Sequence, residues 1–362
     1  MDFTMTDEQK ALRDAVRGVL RRHGSPAAED GRSAAPPPHD ATLWEALVEV
    51  GVPALAWAED DGGVGAGITD LAVVATELGR ARLQVPLAET LVAGTIVGRL
   101  ATDETRREIL GALSEGSALP LPALDEPLRR WSPTPTDVTA AEGPDSWTLS
   151  GTKAPVRYAP AATHLVVSAA TPDGSGLFLV ERPEVATEEV VLDGTPATRL
   201  GEGPQADRVL REALSLGAVL LYHEAVGAMD EALRLTSDYL NTREQFGVPL
   251  ARFQTLTQRA ADMYVELELA RSSALYAAMT ADDEPEDVDT VLRTRVVVDR
   301  AARHIGREAI QLHGGIGVTA EYAVGHLATR LADITRTWGD SRTHLSDLAT
   351  RIADRGSVDV LA

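Results

Sequence analysis

Three stretches, residues 212–242, 253–280 and 288–312, repeat apolar side chains at helical spacing for far longer than an ordinary globular helix. Only short connections join them: the segment after Thr242, and an acidic loop over 281–287. Long amphipathic helices joined by short links must fold back on one another, and an antiparallel bundle buries their apolar stripes. A final helical stretch covers 321–354. Residues 209–362 therefore read as a C-terminal helical bundle.

Upstream the texture changes. Over residues 116–208 prolines are frequent and helical periodicity fades. Short β-type runs, Trp147-Thr148-Leu149, residues 163–168 and residues 177–180, alternate with Gly, Pro and Asp, which predicts a small antiparallel β-domain. Residues 1–115 read as all-helical. Phe3, Leu12, Val16, Val19 and Leu20 share one helix face, and Thr6 with Gln9 forms a capping box. Pro36-Pro37-Pro38 marks a loop within a Pro/Ala/Gly-rich stretch over 25–40. Further helices are expected over 42–50, 68–78, 89–100 and 102–113, the last capped by Thr102. The fold class is α+β, mostly α, in the order α-domain, β-domain, α-bundle.

Charge narrows the function. With 34 Lys+Arg against 55 Asp+Glu, the net charge is −21. So acidic a chain is a poor partner for nucleic acid or an anionic membrane surface, both of which demand basic patches. No run of about 18 uninterrupted apolar residues exists, so no membrane span is expected. The first residues carry charges throughout, unlike a signal peptide. The absence of cysteine excludes thiolate chemistry and fits a cytoplasmic location. No spacing suits a metal site.

Two segments carry the chemistry. The first runs Tyr239-Leu-Asn-Thr-Arg243-Glu-Gln-Phe246-Gly247-Val-Pro249-Leu-Ala-Arg-Phe253-Gln254. Gly247 permits a sharp turn, and Pro249 cannot continue the preceding helix. Arg243 offers a fixed cation with a donor fork suited to a pyrophosphate. The second runs Gln311-Leu-His313-Gly314-Gly315-Ile-Gly317-Val-Thr-Ala-Glu321-Tyr322, where glycines let backbone approach a ligand closely. Arg243 pairing with a carboxylate, and Gly314-Gly315 merely ending a helix, is the plainer alternative for each segment alone.

Together these segments resemble the C-terminal domain of the acyl-CoA dehydrogenase family. Gly63-Val-Gly65-Ala-Gly67 followed by Glu77-Leu-Gly79 resembles its N-terminal helical domain, and Leu149-Ser-Gly151-Thr-Lys153 its mid-domain strand signature. Order and spacing agree over nearly the whole chain, and the Ala/Arg/Asp-rich composition fits the actinobacterial type of member. The resemblance implies an FAD site shared between subunits. Arg243, Phe246, Gln254, Gln311, Gly314 and Gly315 would reach across a dimer interface to the FAD of a neighbour.

Other parts depart from the family pattern. Family members hold the flavin ring with a Thr-Glu-Pro…Gly-Ser-Asp loop; here Leu124-Asp125-Glu126-Pro127 is followed by Leu-Arg-Arg-Trp. After Gly-x-Lys the family carries an aromatic residue and a Thr; here the stretch reads Lys153-Ala-Pro155-Val-Arg157-Tyr158. The family's catalytic Glu occupies one of two positions, which the resemblance puts at Trp338 and at or near Gly217. Neither is acidic. Displaced carboxylates are Asp340, beside Trp338, and Glu224, seven residues past Gly217 and roughly 10 Å along the same helix. His223 and His313 read as polar groups of a helix surface or interface.

The resemblance thus implies a non-catalytic subunit of a heteromeric enzyme, α2β2 with a paralogous acyl-CoA dehydrogenase. That enzyme would desaturate an acyl-CoA, such as a steroid side chain, and pass electrons to an electron-transfer flavoprotein. A self-sufficient homomeric enzyme using Asp340 or Glu224, and a flavin-free scaffold, stand as alternatives.

Overall fold

The computed structural model describes residues 4–24, 39–143 and 146–352. The Pro36-Pro37-Pro38 loop and the end of the last helical stretch lie outside the described residues. Five helices come first: α1 (Asp7–His23), α2 (Ala41–Glu49), α3 (Ile68–Ala81), α4 (Leu87–Leu100) and α5 (Asp103–Ser114). The capping box forms as expected. The Gln9 amide donates to Thr6 Oγ1 and the Thr6 amide to Gln9 Oε1, both at 3.2 Å. Thr102 caps α5.

Six strands follow: β1 (Pro120–Ala123), β2 (Thr139–Glu142), β3 (Trp147–Lys153), β4 (His164–Thr171), β5 (Gly174–Glu181) and β6 (Val190–Glu202). The pairings β4–β2, β2–β3, β3–β6, β6–β5 and β5–β4 close on themselves, so the sheet is a small barrel. The expected antiparallel character holds for β2/β3, β3/β6, β4/β5 and β5/β6. The exceptions are β1, which runs parallel to β4 in register Pro120 to His164, and the single parallel contact of Thr139 with Ala170.

The C-terminal helices are α6 (Gly203–Thr242), α7 (Gln254–Asp283), α8 (Val288–His313), α9 (Ala323–Ile334) and α10 (Ser341–Ile352). α6 springs directly from β6 at Gly203, ahead of the expected start. α7 runs into the acidic stretch as far as Asp283. The final helical stretch is two helices, broken over 335–340, where Trp338 and Gly339 both take positive φ (54° and 105°).

α3 crosses α6 so closely that backbone touches backbone. A Cβ at Gly79 would meet the Glu224 carbonyl oxygen at 2.0 Å, and one at Gly227 the Thr76 carbonyl oxygen at 1.9 Å. The glycine of Glu77-Leu-Gly79 is thus a packing requirement that joins the N-terminal helices to the bundle. The buried apolar residues form one continuous core through helices and barrel.

Candidate functional site

Two regions concern function, one exposed and one interior. The exposed one lies where α6 and α8 end. Arg243 terminates α6, and residues 244–249 form a tight hairpin with Phe246 at φ 53° and Gly247 at φ 79°. α8 ends at His313, and Gly314 turns the chain at φ 67° into a short 3-10 turn, Gly314–Val318. The two ends are tied by an aromatic stack. The His313 ring lies 4.5 Å from that of Tyr239 and 5.0 Å from that of Tyr322.

Arg243, Gln311, Gly314 and Gly315 line one groove of about 590 Å³. The Arg243 guanidinium makes no ion pair or hydrogen bond among the described residues, so the pairing alternative for it finds no partner. Phe246 and Gln254 fall outside the groove lining. Phe246 stands 93% exposed on the hairpin, its ring edge-on to Phe253, and Gln254 opens α7 on the surface.

The interior region is a cavity of about 540 Å³, whose walls include Glu89, Asp125, Trp131, Pro155, Arg157 and Trp338. Trp338 is buried, and a Cβ at Gly217 would lie 2.8 Å from Cζ3 of its indole and 2.4 Å from Val92 Cγ2. Gly217 and Trp338, far apart in sequence, are therefore in contact. The indole is held from behind. Arg295, fully buried on α8, directs Nη2 at the carbonyls of Ile334 (2.8 Å), Thr337 (3.0 Å) and Gly339 (3.0 Å). Its charge is met by Asp299 at 3.0 Å, which also accepts from Ser341 Oγ. Trp131 packs on the same turn, its Cδ1 2.8 Å from where a Gly339 Cβ would stand.

Two buried ion pairs occupy the same neighbourhood. Arg157 Nε stands 3.3 Å from Glu89 Oε1, and Arg157 Nη2 donates to Gln84. Arg330 grips Glu224 with two bonds, 2.5 and 2.7 Å. Burial pushes the Glu89 carboxyl up, against the pull of Arg157 and Arg330. Asp340 is half exposed and caps α10, accepting from the Thr343 amide and hydroxyl at 2.9 Å, which holds it below the usual carboxylate range.

His223 and His313 are buried, which corrects the surface reading. Burial takes His223 down to about 4, and it also lowers His313, so both are neutral at ordinary pH.

Sequence reading missed one cluster. The Lys153 ammonium is fully buried and donates to Leu124 O, Ser168 Oγ and Glu126 Oε1. Glu126 further accepts from the amides of Thr136, Asp137 and Val138. Against the upward push of burial, the bonds from Val138 and Thr136 with the Lys153 charge hold Glu126 down at about 2. Burial pushes neighbouring Asp125 up to about 6, opposed by Lys153. The signal was available: a lysine inside a strand needs a buried carboxylate.

Both halves can be tested against a flavin dinucleotide. The outer groove fits its phosphates: an unpaired guanidinium, an amide and two glycines with open space beside them. The interior does not fit the ring. Glu126 is saturated by Lys153 and the amides of residues 136–138, Pro155 has no N–H, and the cavity wall is made of the Arg157–Glu89 pair and two indoles. Among the described residues no cluster of His, Asp or Glu could hold a metal ion.

Residues 6–117 match the family model "Acyl-CoA dehydrogenase, N-terminal domain", and residues 208–353 match "Acyl-CoA dehydrogenase, C-terminal domain". The acyl-CoA dehydrogenase FadE28 of Mycobacterium tuberculosis is 30% identical over 362 residues, covering 97% of this chain and 99% of that protein. The chain belongs to the acyl-CoA dehydrogenase family. Members of this family of flavoprotein oxidoreductases bind FAD. The solved structure titled Tcur3481-Tcur3483 steroid ACAD G363A variant is 32% identical, with a TM-score of 0.84, covering 96% of this chain and 98% of that one. The ChsE4-ChsE5 complex from Mycobacterium tuberculosis is 24% identical with a TM-score of 0.86, covering 99% and 100%, and shares the fold. No described helix is long and apolar enough to cross a membrane.

Within an acyl-CoA dehydrogenase, the four groove residues are the ones the sequence singled out, while Phe246 and Gln254 flank them. Glu224 is tied to Arg330 and Asp340 to a helix start, so both carboxylates have structural partners. The carboxyls that line the cavity with Trp338 are Glu89, Asp125, Glu188 and Asp333.

Proposed function

We propose that the chain is a non-catalytic subunit of a heteromeric acyl-CoA dehydrogenase. It would pair with a paralogous subunit, as α2β2, and complete that subunit's FAD site. The observation that carries this is the Trp338 indole seated on Gly217: one position holds a side chain with no titratable group, and at the other even a Cβ would clash. The open groove at Arg243 supports the other half, because a guanidinium with no internal partner suits a ligand from outside.

In such an assembly bound FAD would supply the hydride acceptor for the acyl thioester's β-carbon. This chain's part is binding. Arg243 holds charge against the phosphates, Gln311 orients through its amide, and Gly314 and Gly315 let the backbone come near. Phe246 and Gln254 extend the contact along the hairpin and the start of α7. The partner supplies the carboxylate that takes the α-proton. A steroid side chain as the acyl group is supported by the steroid enzyme named in the solved relative. The electron acceptor in this reading is an electron-transfer flavoprotein, and the location is the cytoplasm.

A second reading has one observation behind it. Asp125, raised to about 6 and facing the cavity, is poised as a base would be. A self-sufficient homomer would then use Asp125 in place of Glu224 or Asp340. Purifying the chain alone separates the readings: the first expects no flavin and no acyl-CoA oxidation. The second expects one FAD per chain and activity lost in D125N. A flavin-free scaffold would keep its assembly and show no flavin with any partner.

A further inference from the structure

We infer that Arg259 is a second cationic contact for the dinucleotide that the Arg243 groove meets. The inference rests on the reading above, that this groove faces a neighbour's FAD.

A pyrophosphate bridge carries two negative charges, and one guanidinium neutralises only one of them. Arg259, on α7, lines the same groove as Arg243, Gln311 and the two glycines. It is anchored by a single bond: its Nε donates to Glu308 Oε2 at 2.6 Å. Glu308 sits one turn before Gln311 on α8, so the anchor comes from the helix that also delivers the glycines. Neither Nη group of Arg259 has a partner among the described residues. Held at Nε, the guanidinium keeps its two terminal amino groups free, the edge that engages a phosphate. The bond to Glu308 also keeps the group charged. Two arginines from two helices, one at the end of α6 and one on α7, thus border one concave surface. The neighbouring Leu250, Leu256 and Ile316 supply apolar wall for the uncharged parts of a ligand.

The test uses the flavin-containing assembly isolated from its native host through an affinity tag on this chain. The variants are R243A, R259A, R259K and E308Q. The readouts are FAD retained per assembly after dialysis, the FAD dissociation constant on reconstitution, and the melting temperature. R259A is expected to weaken FAD by roughly tenfold or more, the worth of a charge-assisted bond. R259K should fall between R259A and the unchanged chain. E308Q removes a competing negative charge while keeping an acceptor for Nε, so FAD should bind as tightly or tighter.

The failures separate. If R243A retains FAD unchanged, or the native assembly holds no flavin, the reading of the groove falls and this inference with it. If R243A loses FAD while R259A retains it, only the role of Arg259 is overturned. If R259A and E308Q weaken FAD alike, the α7–α8 ion pair is what matters, and the contact with the ligand is refuted. Should R259A fail to assemble, the order of R259K and E308Q decides.

Discussion

The indole of Trp338 rests on the bare backbone of Gly217, so close that a single added methyl would stand 2.8 Å from Cζ3. These two positions, on α6 and in the break between α9 and α10, are where the family resemblance puts a catalytic carboxylate. The bulk of one residue requires the smallness of the other.

That contact predicts a non-additive mutant cycle. G217A overpacks the site against Val92 and Trp338 and should cost about 1–3 kcal/mol in urea unfolding. W338A empties a buried site and should cost about 3–5 kcal/mol. Together they should cost less than their sum, because removing the indole makes room for the methyl. Strict additivity would mean that the two do not press on each other in solution.

Arg295 is expected to hold the Trp338 segment rather than only fill space. R295M keeps much of the volume but leaves Asp299 buried without the Arg295 charge beside it, so a loss of about 3–5 kcal/mol is expected. Tryptophan fluorescence should become more open to a soluble quencher. A quenching profile equal to that of the unchanged chain would show the segment to be held by other contacts.

Glu224 is expected to matter for folding. E224A strands the Arg330 charge in the interior and should cost about 3–5 kcal/mol. A double change that removes both charges should recover part of the loss. If E224A kept full stability and abolished acyl-CoA oxidation by the assembly, Glu224 would be a base and the non-catalytic reading would be wrong.

Glu126 gives a pH dependence with a defined sign. Its folded carboxyl is depressed to about 2 from an ordinary 4.5. Its contribution is therefore complete above the unfolded value and disappears as pH falls from about 5 towards 2. Urea unfolding should lose about 2 kcal/mol from this group over that window. E126Q should be less stable at neutral pH and flatter in acid. Equal acid slopes for both chains would mean that Lys153 and the three amides do not hold Glu126 ionised.

Local signals in the sequence placed the helices well. The Thr6/Gln9 capping box and the Thr102 cap are encoded within one turn, so they could be read directly. The long helices were legible from their apolar period, and of the six residues named from the resemblance, Arg243, Gln311, Gly314 and Gly315 share one groove. What escaped was non-local. Nothing near Arg295 shows that its partners are carbonyls at 334, 337 and 339, and nothing near Lys153 names Glu126. The parallel β1/β4 pairing and the closure of the barrel depend on contacts across intervening strands, which alternation cannot specify. His223 and His313 looked like surface groups because histidine is polar, yet neutral imidazoles bury readily when their ring nitrogens find a partner or their faces an aromatic ring.

The central claim is that this chain grips a flavin belonging to another subunit and holds none in its own cavity. Native mass measurement of the assembly pulled from its host, with flavin counted per chain, addresses it directly. The account predicts two kinds of subunit in equal number and one FAD for each pair. An assembly of this chain alone, carrying one FAD per chain and oxidising an acyl-CoA, would contradict it.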